Sequence, residues 1–225
     1  MLNWYKLANI WDEIKKFGPN SEISSIDDPR VEYLAEHSNY TKEQAFKYLQ
    51  DIGISDYYKR DYFTGNYGWS VPSKEAIEEL KKFINNETVL EIGSGYGLWA
   101  KLLKDAGVNV IATDLPFSNK QDSHRPKKIK FTEIEEIDAE VTIQKYIYKP
   151  YVLMMSWPPY DDPMAAKSLK GFKGNKLIFI GEGEGGCTGD DQFFKILKTE
   201  WNFVKEINIP QWSGIHDYIS LYDRK

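Results

Sequence analysis

Apolar positions in this chain change their period near residue 70. Before it they recur every three or four residues, and after it they come as short runs divided by turns. Over residues 2–17, Trp4, Leu7, Ile10, Trp11 and Ile14 mark one stripe of a helix that Gly18 and Pro19 end. A second helix is expected from Thr41, its cap, through Ala45, Tyr48 and Leu49 to Gly53. Residues 1–70 therefore read as a helical extension, either docked on the rest or folded over its pocket as a lid. The segment from Tyr67 to Ser73 is the hinge, and residues 71–225 form the main domain.

Beyond the hinge, Ser73 caps a helix over 74–84, and strands then alternate with helices. The expected order is strand 88–92, helix 97–106, strand 108–113, a basic loop, a weak strand over 129–134, strand 151–156, helix 162–170, strand 176–181, helix 190–200, strand 203–209 and strand 217–223. Such alternation predicts an α/β fold with a doubly wound, mostly parallel seven-stranded sheet and helices on both faces. The last two strands are joined too tightly for a crossover helix, so the final one should run antiparallel.

The first of these strands empties into Glu91-Ile-Gly93-Ser94-Gly95-Tyr-Gly97, and Asp114 closes the second. Glycines let a backbone pass close to a ligand, the following helix offers unpaired N–H groups, and a carboxylate about 20 residues on can take ribose hydroxyls. The spacing is Gly-x-Gly-x-Gly, which departs from a dinucleotide fingerprint and ranks a nicotinamide enzyme last.

This segment resembles the first motif of class I, Rossmann-like S-adenosylmethionine-dependent methyltransferases. The resemblance implies S-adenosylmethionine as cofactor, held by Glu91, Gly93, Ser94, Gly95, Gly97 and Asp114, its methionine part near Gly93 and Gly95 and its ribose near Asp114. It also places Asp138 where the family has a residue that binds the adenine amine.

Strand 151–156 ends in Ser156, Trp157, Pro158, Pro159 and Tyr160, at the sheet edge where open α/β folds bind ligands. Two prolines hold an extended turn and donate nothing, leaving the carbonyls of Ser156, Trp157 and Pro158 to accept from an amine while Tyr160 stacks on a ring. The run is similar to the Asp/Asn/Ser-Pro-Pro-Tyr motif of amino-methyltransferases, with Trp157 in place of the polar residue. A nitrogen on a nucleobase, nucleoside or nucleic acid is then the implied acceptor; a small-molecule methyltransferase and a non-catalytic partner protein of the same fold are the rivals. Together with Tyr67-Gly-Trp-Ser-x-Pro-Ser ahead of the glycines, the resemblance covers residues 62–225 and points to an uncharacterised type.

Two further groups reach the same edge. Glu182, at the end of strand 176–181, could accept a proton, and His216 beside Asp217 is either a structural pair or a catalytic or substrate-binding group. Asp190 and Asp191 read as the start of a helix. Cys187, the single cysteine, has no disulfide partner and reads as a packing residue.

Net charge is −5, so any polyanion contact must be local, and Lys120, Arg125, Lys127, Lys128 and Lys130 are the candidate stretch, as a solvated loop or a phosphate track. No apolar run approaches the roughly eighteen residues of a membrane span. With neither a membrane segment nor a signal-like N-terminus, a cytoplasmic enzyme using no metal is expected.

Overall fold

The computed structural model describes residues 9–50, 55–116, 130–149 and 151–225. Among these residues seven strands form one sheet: β1 (Thr88–Ile92), β2 (Val110–Asp114), β3 (Glu135–Glu136), β4 (Tyr151–Ser156), β5 (Lys176–Glu182), β6 (Trp201–Asn208) and β7 (Asp217–Arg224). Their spatial order is β3-β2-β1-β4-β5-β7-β6, and only β7 runs against its neighbours β5 and β6. The fold is a Rossmann-like, doubly wound α/β sheet with an antiparallel last strand, as the alternation and the tight final connection predict. From β1 the chain winds outward to β2 and β3, then returns to place β4 on the other side of β1, with Ile92 beside Met155. Ligands of open α/β sheets bind at this switch point, outside the carboxyl ends of the strands.

Strand residues alternate between two buried layers because successive side chains point to opposite faces. Val89, Val152 and Ile178 pack against α1 (Ile10–Phe17), α4 (Ser55–Asn66), α5 (Lys74–Ile84) and α6 (Leu98–Asp105). Leu90, Leu153 and Leu177 face α7 (Ala139–Lys145), α8 (Met164–Gly171) and α9 (Asp191–Glu200). Burial on both faces explains why β1, β4 and β5 read as near-continuous apolar runs.

The extension adds α2 (Pro29–Glu36) and α3 (Lys42–Gln50), whose Val31, Leu34, Ala45 and Leu49 form a satellite core. Ile10, Ile14 and Phe17 of α1 instead join the cluster that covers the sheet. Thr41 and Gln44 exchange reciprocal bonds at the start of α3, and Ser73 accepts from the Ala76 N–H at 3.1 Å, so both expected caps are present.

Some expectations need correction. The weak strand over 129–134 is not found among the described residues; β3 follows it and has only two residues, while Phe131 turns inward and donates its N–H to the Tyr96 carbonyl at 2.8 Å. Helix α7 was not expected, nor were α2 and α4 individually. Trp4, Leu7, Gly53 and the basic stretch apart from Lys130 lie outside the described residues; Lys130 pairs with Glu136 at 2.7 Å.

Candidate active site

The turn after β1 is built from three glycines with left-handed backbone: Gly93 (φ 68°), Gly95 (φ 59°) and Gly97 (φ 79°). The Ser94 N–H reaches the Thr113 carbonyl at 3.0 Å, and the Gly97 N–H closes the turn on the Ser94 carbonyl at 2.8 Å. Asp114 accepts from the N–H of Gly95 and of Leu115, both at 2.7 Å, so the carboxylate that ends β2 also shapes the turn.

The last two glycines serve different needs. A Cβ on Gly95 would point into open space, whereas one on Gly97 would come within 2.9 Å of Thr132 Cγ2 and 3.3 Å of Ile134 Cδ1. Gly97→Ala is therefore expected to lower stability by about 1–2 kcal/mol, from left-handed strain and from that contact, and thermal unfolding measures it. A melting temperature equal to wild type would mean that this turn carries neither the left-handed strain nor the contact with Thr132 and Ile134.

A second turn begins where β4 ends. Trp157 is itself left-handed (φ 51°), a conformation costing roughly 1 kcal/mol for a non-glycine residue. Three contacts hold it: its N–H donates to the Ile180 carbonyl at 2.7 Å, its Nε1 to Asp217 Oδ2 at 2.9 Å, and its ring stacks on Trp69 at 5.5 Å between centroids. Burial raises the pKa of Asp217 above the ordinary carboxylate range, against the bond from Trp157. Beside it, Ser156 Oγ lies 3.0 Å from Ser70 Oγ, which also accepts from Trp99 Nε1 at 2.8 Å. The hinge is thereby tied to both β4 and α6, and Trp99 is buried.

The carbonyls after β4 are not all free. That of Pro158 accepts the Gly189 N–H at 2.9 Å, and Pro159 bridges to Thr188, so the glycine-rich loop after β5 clasps the proline turn. Tyr160 is 60% exposed at the rim, where it is accessible to a ring from solvent.

Both turns line one cleft of about 690 Å³. Of the residues singled out from the sequence, Gly93, Gly95, Asp114, Asp138 and Ser156 to Tyr160 line it. Asp138 is also the cap of α7, accepting from the N–H of Glu140 at 2.8 Å and of Val141 at 3.3 Å.

Glu91, Ser94, Gly97, Glu182 and His216 do not line the cleft. Glu91 is buried in β1, beside a hollow of about 40 Å³ that shares Gly93 and Gly95 with the cleft, and desolvation followed by the charge of Asp114 pushes its pKa up to about 8. Glu182 turns back to accept the N–H groups of Cys187 at 2.9 Å and His216 at 3.0 Å. Burial raises its pKa, but those bonds prevail and hold it below the ordinary range. Its carboxylate is a loop clasp in this arrangement, and the backbone of His216 is its partner. Asp190 caps α9 by accepting from Phe193 N–H at 3.0 Å.

Several lining residues were not expected: Arg60, Trp69, Leu115, Met164, Ile215 and Cys187. Trp69 belongs to the Tyr-Gly-Trp-Ser segment already noted, so its neighbourhood was legible although its contact was not. Cys187, expected to pack inside, is exposed at the cleft. Among the described residues no three His, Cys, Asp or Glu gather to hold a metal ion, and no helix is long and apolar enough to cross a membrane.

No protein-family model matches this sequence, and no curated protein matches it. Among solved structures, the chain is similar to magnesium protoporphyrin IX methyltransferase from Synechocystis with bound SAM, at 12% identity over 80% of this chain and 94% of that one, TM-score 0.47. It is similar to a SAM-dependent methyltransferase from Anabaena variabilis at 11% identity, 66% and 83% coverage and TM-score 0.46. For one from Archaeoglobus fulgidus the values are 14% identity, 68% and 94% coverage and TM-score 0.42. The fold assignment itself stands on strand order and polarity.

Proposed function

We propose that this protein is an S-adenosylmethionine-dependent methyltransferase acting on a nitrogen of a nucleobase or nucleoside. The observation that carries the reading is that the glycine turn after β1 and the Ser156–Tyr160 turn after β4 line the same cleft. Its volume of about 690 Å³ suits a cofactor-sized ligand, and the open space at Gly95 leaves room for one against the backbone. Asp114, Asp138, Asp161 and Asp162 line it, a donor set that favours a cationic ligand.

S-adenosylmethionine would supply a methyl group already activated on sulfur. Gly93, Gly95 and Asp114 would hold it, with Asp138 at the adenine end as the resemblance implies. What remains for the chain is alignment and exclusion of water. Trp157, locked by Asp217 and Trp69, sets the position of the acceptor wall, and Tyr160 gives a planar acceptor a surface to stack on. A neutral amine needs no strong base, which agrees with Glu182 being engaged by backbone N–H groups. The helices before the hinge would form one side of the acceptor pocket through Arg60.

A small-molecule acceptor is the second reading, favoured by the four aspartates along the cleft, since a nucleic-acid strand would meet like charge there. Calorimetric titration with S-adenosylmethionine tests the cofactor, and labelled methyl transfer into cell extract, split into RNA, DNA, protein and metabolites, tests the acceptor. We expect saturable binding and label in the RNA, DNA or metabolite fraction. Wild-type protein that binds no cofactor would reject the proposal, and label in protein alone would reject the acceptor.

A further inference from the structure

Arg60 is a cation at the cleft with no ion-pair partner among the described residues. Its guanidinium carbon lies 5.4 Å from the ring centroid of Trp69 and 5.2 Å from that of Trp157, against two indoles that are themselves stacked. Among the described residues it makes no hydrogen bond or ion pair, and its Nε is buried without a partner. A buried donor of this kind is costly unless an acceptor arrives, and a guanidinium presents Nε together with its terminal nitrogens as a fork that one anionic group can fill. The indoles hold the cation by their faces without satisfying those donors.

The nearest carboxylates make no ion pair with it. Asp217 takes Trp157 Nε1 on Oδ2 while its buried Oδ1 has no partner, Glu182 takes two backbone N–H groups and Asp61 takes the Tyr33 hydroxyl, so each acts on Arg60 only through its field. Arg60 is also the single cation among the described residues lining the cleft, where Asp114, Asp138, Asp161 and Asp162 are the anions. That layout welcomes one negative group at one point and repels a chain of phosphates. Nearby, Trp69 is 42% and Tyr160 60% exposed, both able to cover a flat ring.

We propose that Arg60 seats an anionic group of the methyl acceptor, so that the substrate is a small planar amine bearing one phosphate or carboxylate. This rests on the methyl-transfer reading and narrows it from nucleobases at large to small acids.

The test is calorimetry on the full chain with matched pairs: each nucleoside 5′-monophosphate against its nucleoside, and 4-aminobenzoate against its methyl ester. Wild type, Arg60→Met and Arg60→Lys are compared, and S-adenosylmethionine is titrated into each. At least one acid is expected to bind wild type about tenfold more tightly than its neutral partner, in line with a charge-assisted hydrogen bond. That advantage should fall to within about twofold in Arg60→Met and survive in part in Arg60→Lys, which keeps the charge without the fork. Which pair shows it separates phosphate from carboxylate.

Equal affinity of acid and neutral partner for wild type, or no acid binding at all, overturns the proposal, as does an advantage that Arg60→Met leaves intact. Weaker cofactor binding in Arg60→Met with the acid advantage unchanged also overturns it and gives Arg60 to the cofactor. If Arg60→Met does not fold, the wild-type ratio and Arg60→Lys decide. Absent cofactor binding with the acid preference present removes the methyl-transfer reading and leaves the anion seat standing.

Discussion

Gly95→Asp is expected to lose S-adenosylmethionine affinity by about 100-fold or more while the protein stays folded, a penalty of roughly 2.7 kcal/mol or greater in binding. The backbone at Gly95 is left-handed, and a side chain there would project into open cleft space. A carboxylate at that point would occupy volume meant for ligand and add charge beside Asp114, whose Oδ2 accepts the Gly95 N–H. Asp tolerates left-handed backbone better than most residues, so the folding cost should be about 1 kcal/mol, a few degrees in melting temperature at this size. Gly97→Ala supplies the opposite pattern: stability falls, and cofactor affinity stays within a few fold because its new Cβ faces Thr132 and Ile134. Calorimetry and thermal unfolding on both variants read the contrast. Wild-type affinity in Gly95→Asp would mean the cofactor does not pass over this turn.

How much of this was legible beforehand depended on whether a residue's role is local. The strand limits of β1 and β4, the cap at Ser73 and the antiparallel β7 follow from apolar runs, one side-chain bond and a short connection. Asp114 and the proline turn sit at strand ends, which is where such folds gather ligands. Helix α7 escaped because it is short and carries Val141, Thr142 and Ile143 in succession, β-branched residues that read as strand. Helix α4 escaped because tyrosines, with apolar bodies and polar tips, lie on its buried and exposed sides alike: Tyr62 is buried and Tyr57 is 69% exposed. Arg60 went unseen with it.

Other features are long-range and leave no local trace. Nothing near Trp157 in sequence foretells that Trp69 stacks on it or that Asp217 holds its indole. The carbonyl of Pro158 looked available because prolines donate nothing; the donor that takes it, Gly189, comes from another loop. Glu182 likewise sits at the expected edge, yet its direction is set by the N–H groups of Cys187 and His216. Position along a strand is written in the pattern, while the direction of a polar side chain is decided by whichever partner folding brings to it.

Glu91→Gln should make the protein more stable at pH 9 than the wild type, by about 2–4 kcal/mol, and leave the two nearly equal at about pH 4. Glu91 is 1% exposed, its Oε2 has no hydrogen-bond partner, Asp114 lies close enough to oppose its charge, and Lys104 offsets only part of this. With its pKa pushed up from 4.5 to about 8, the folded protein keeps the proton across a range where the unfolded chain has released it. Folded stability therefore falls as pH rises from about 4.5 to about 8, and the whole penalty is in place above that. Glutamine has the same shape and never ionises, so it escapes the penalty; the gain corresponds to roughly 5–15 °C in melting temperature. Parallel melting curves from about pH 4 to 9 are the measurement, and curves that do not diverge would mean Glu91 titrates like an exposed carboxylate. The same group bears on the cofactor. A cationic sulfonium entering the adjoining cleft favours the ionised carboxylate, so binding between pH 6 and 8 should release a proton and tighten as pH rises. Titrations in two buffers of different ionisation enthalpy should detect that proton in wild type and miss it in Glu91→Gln; equal release from both would place its source on another group.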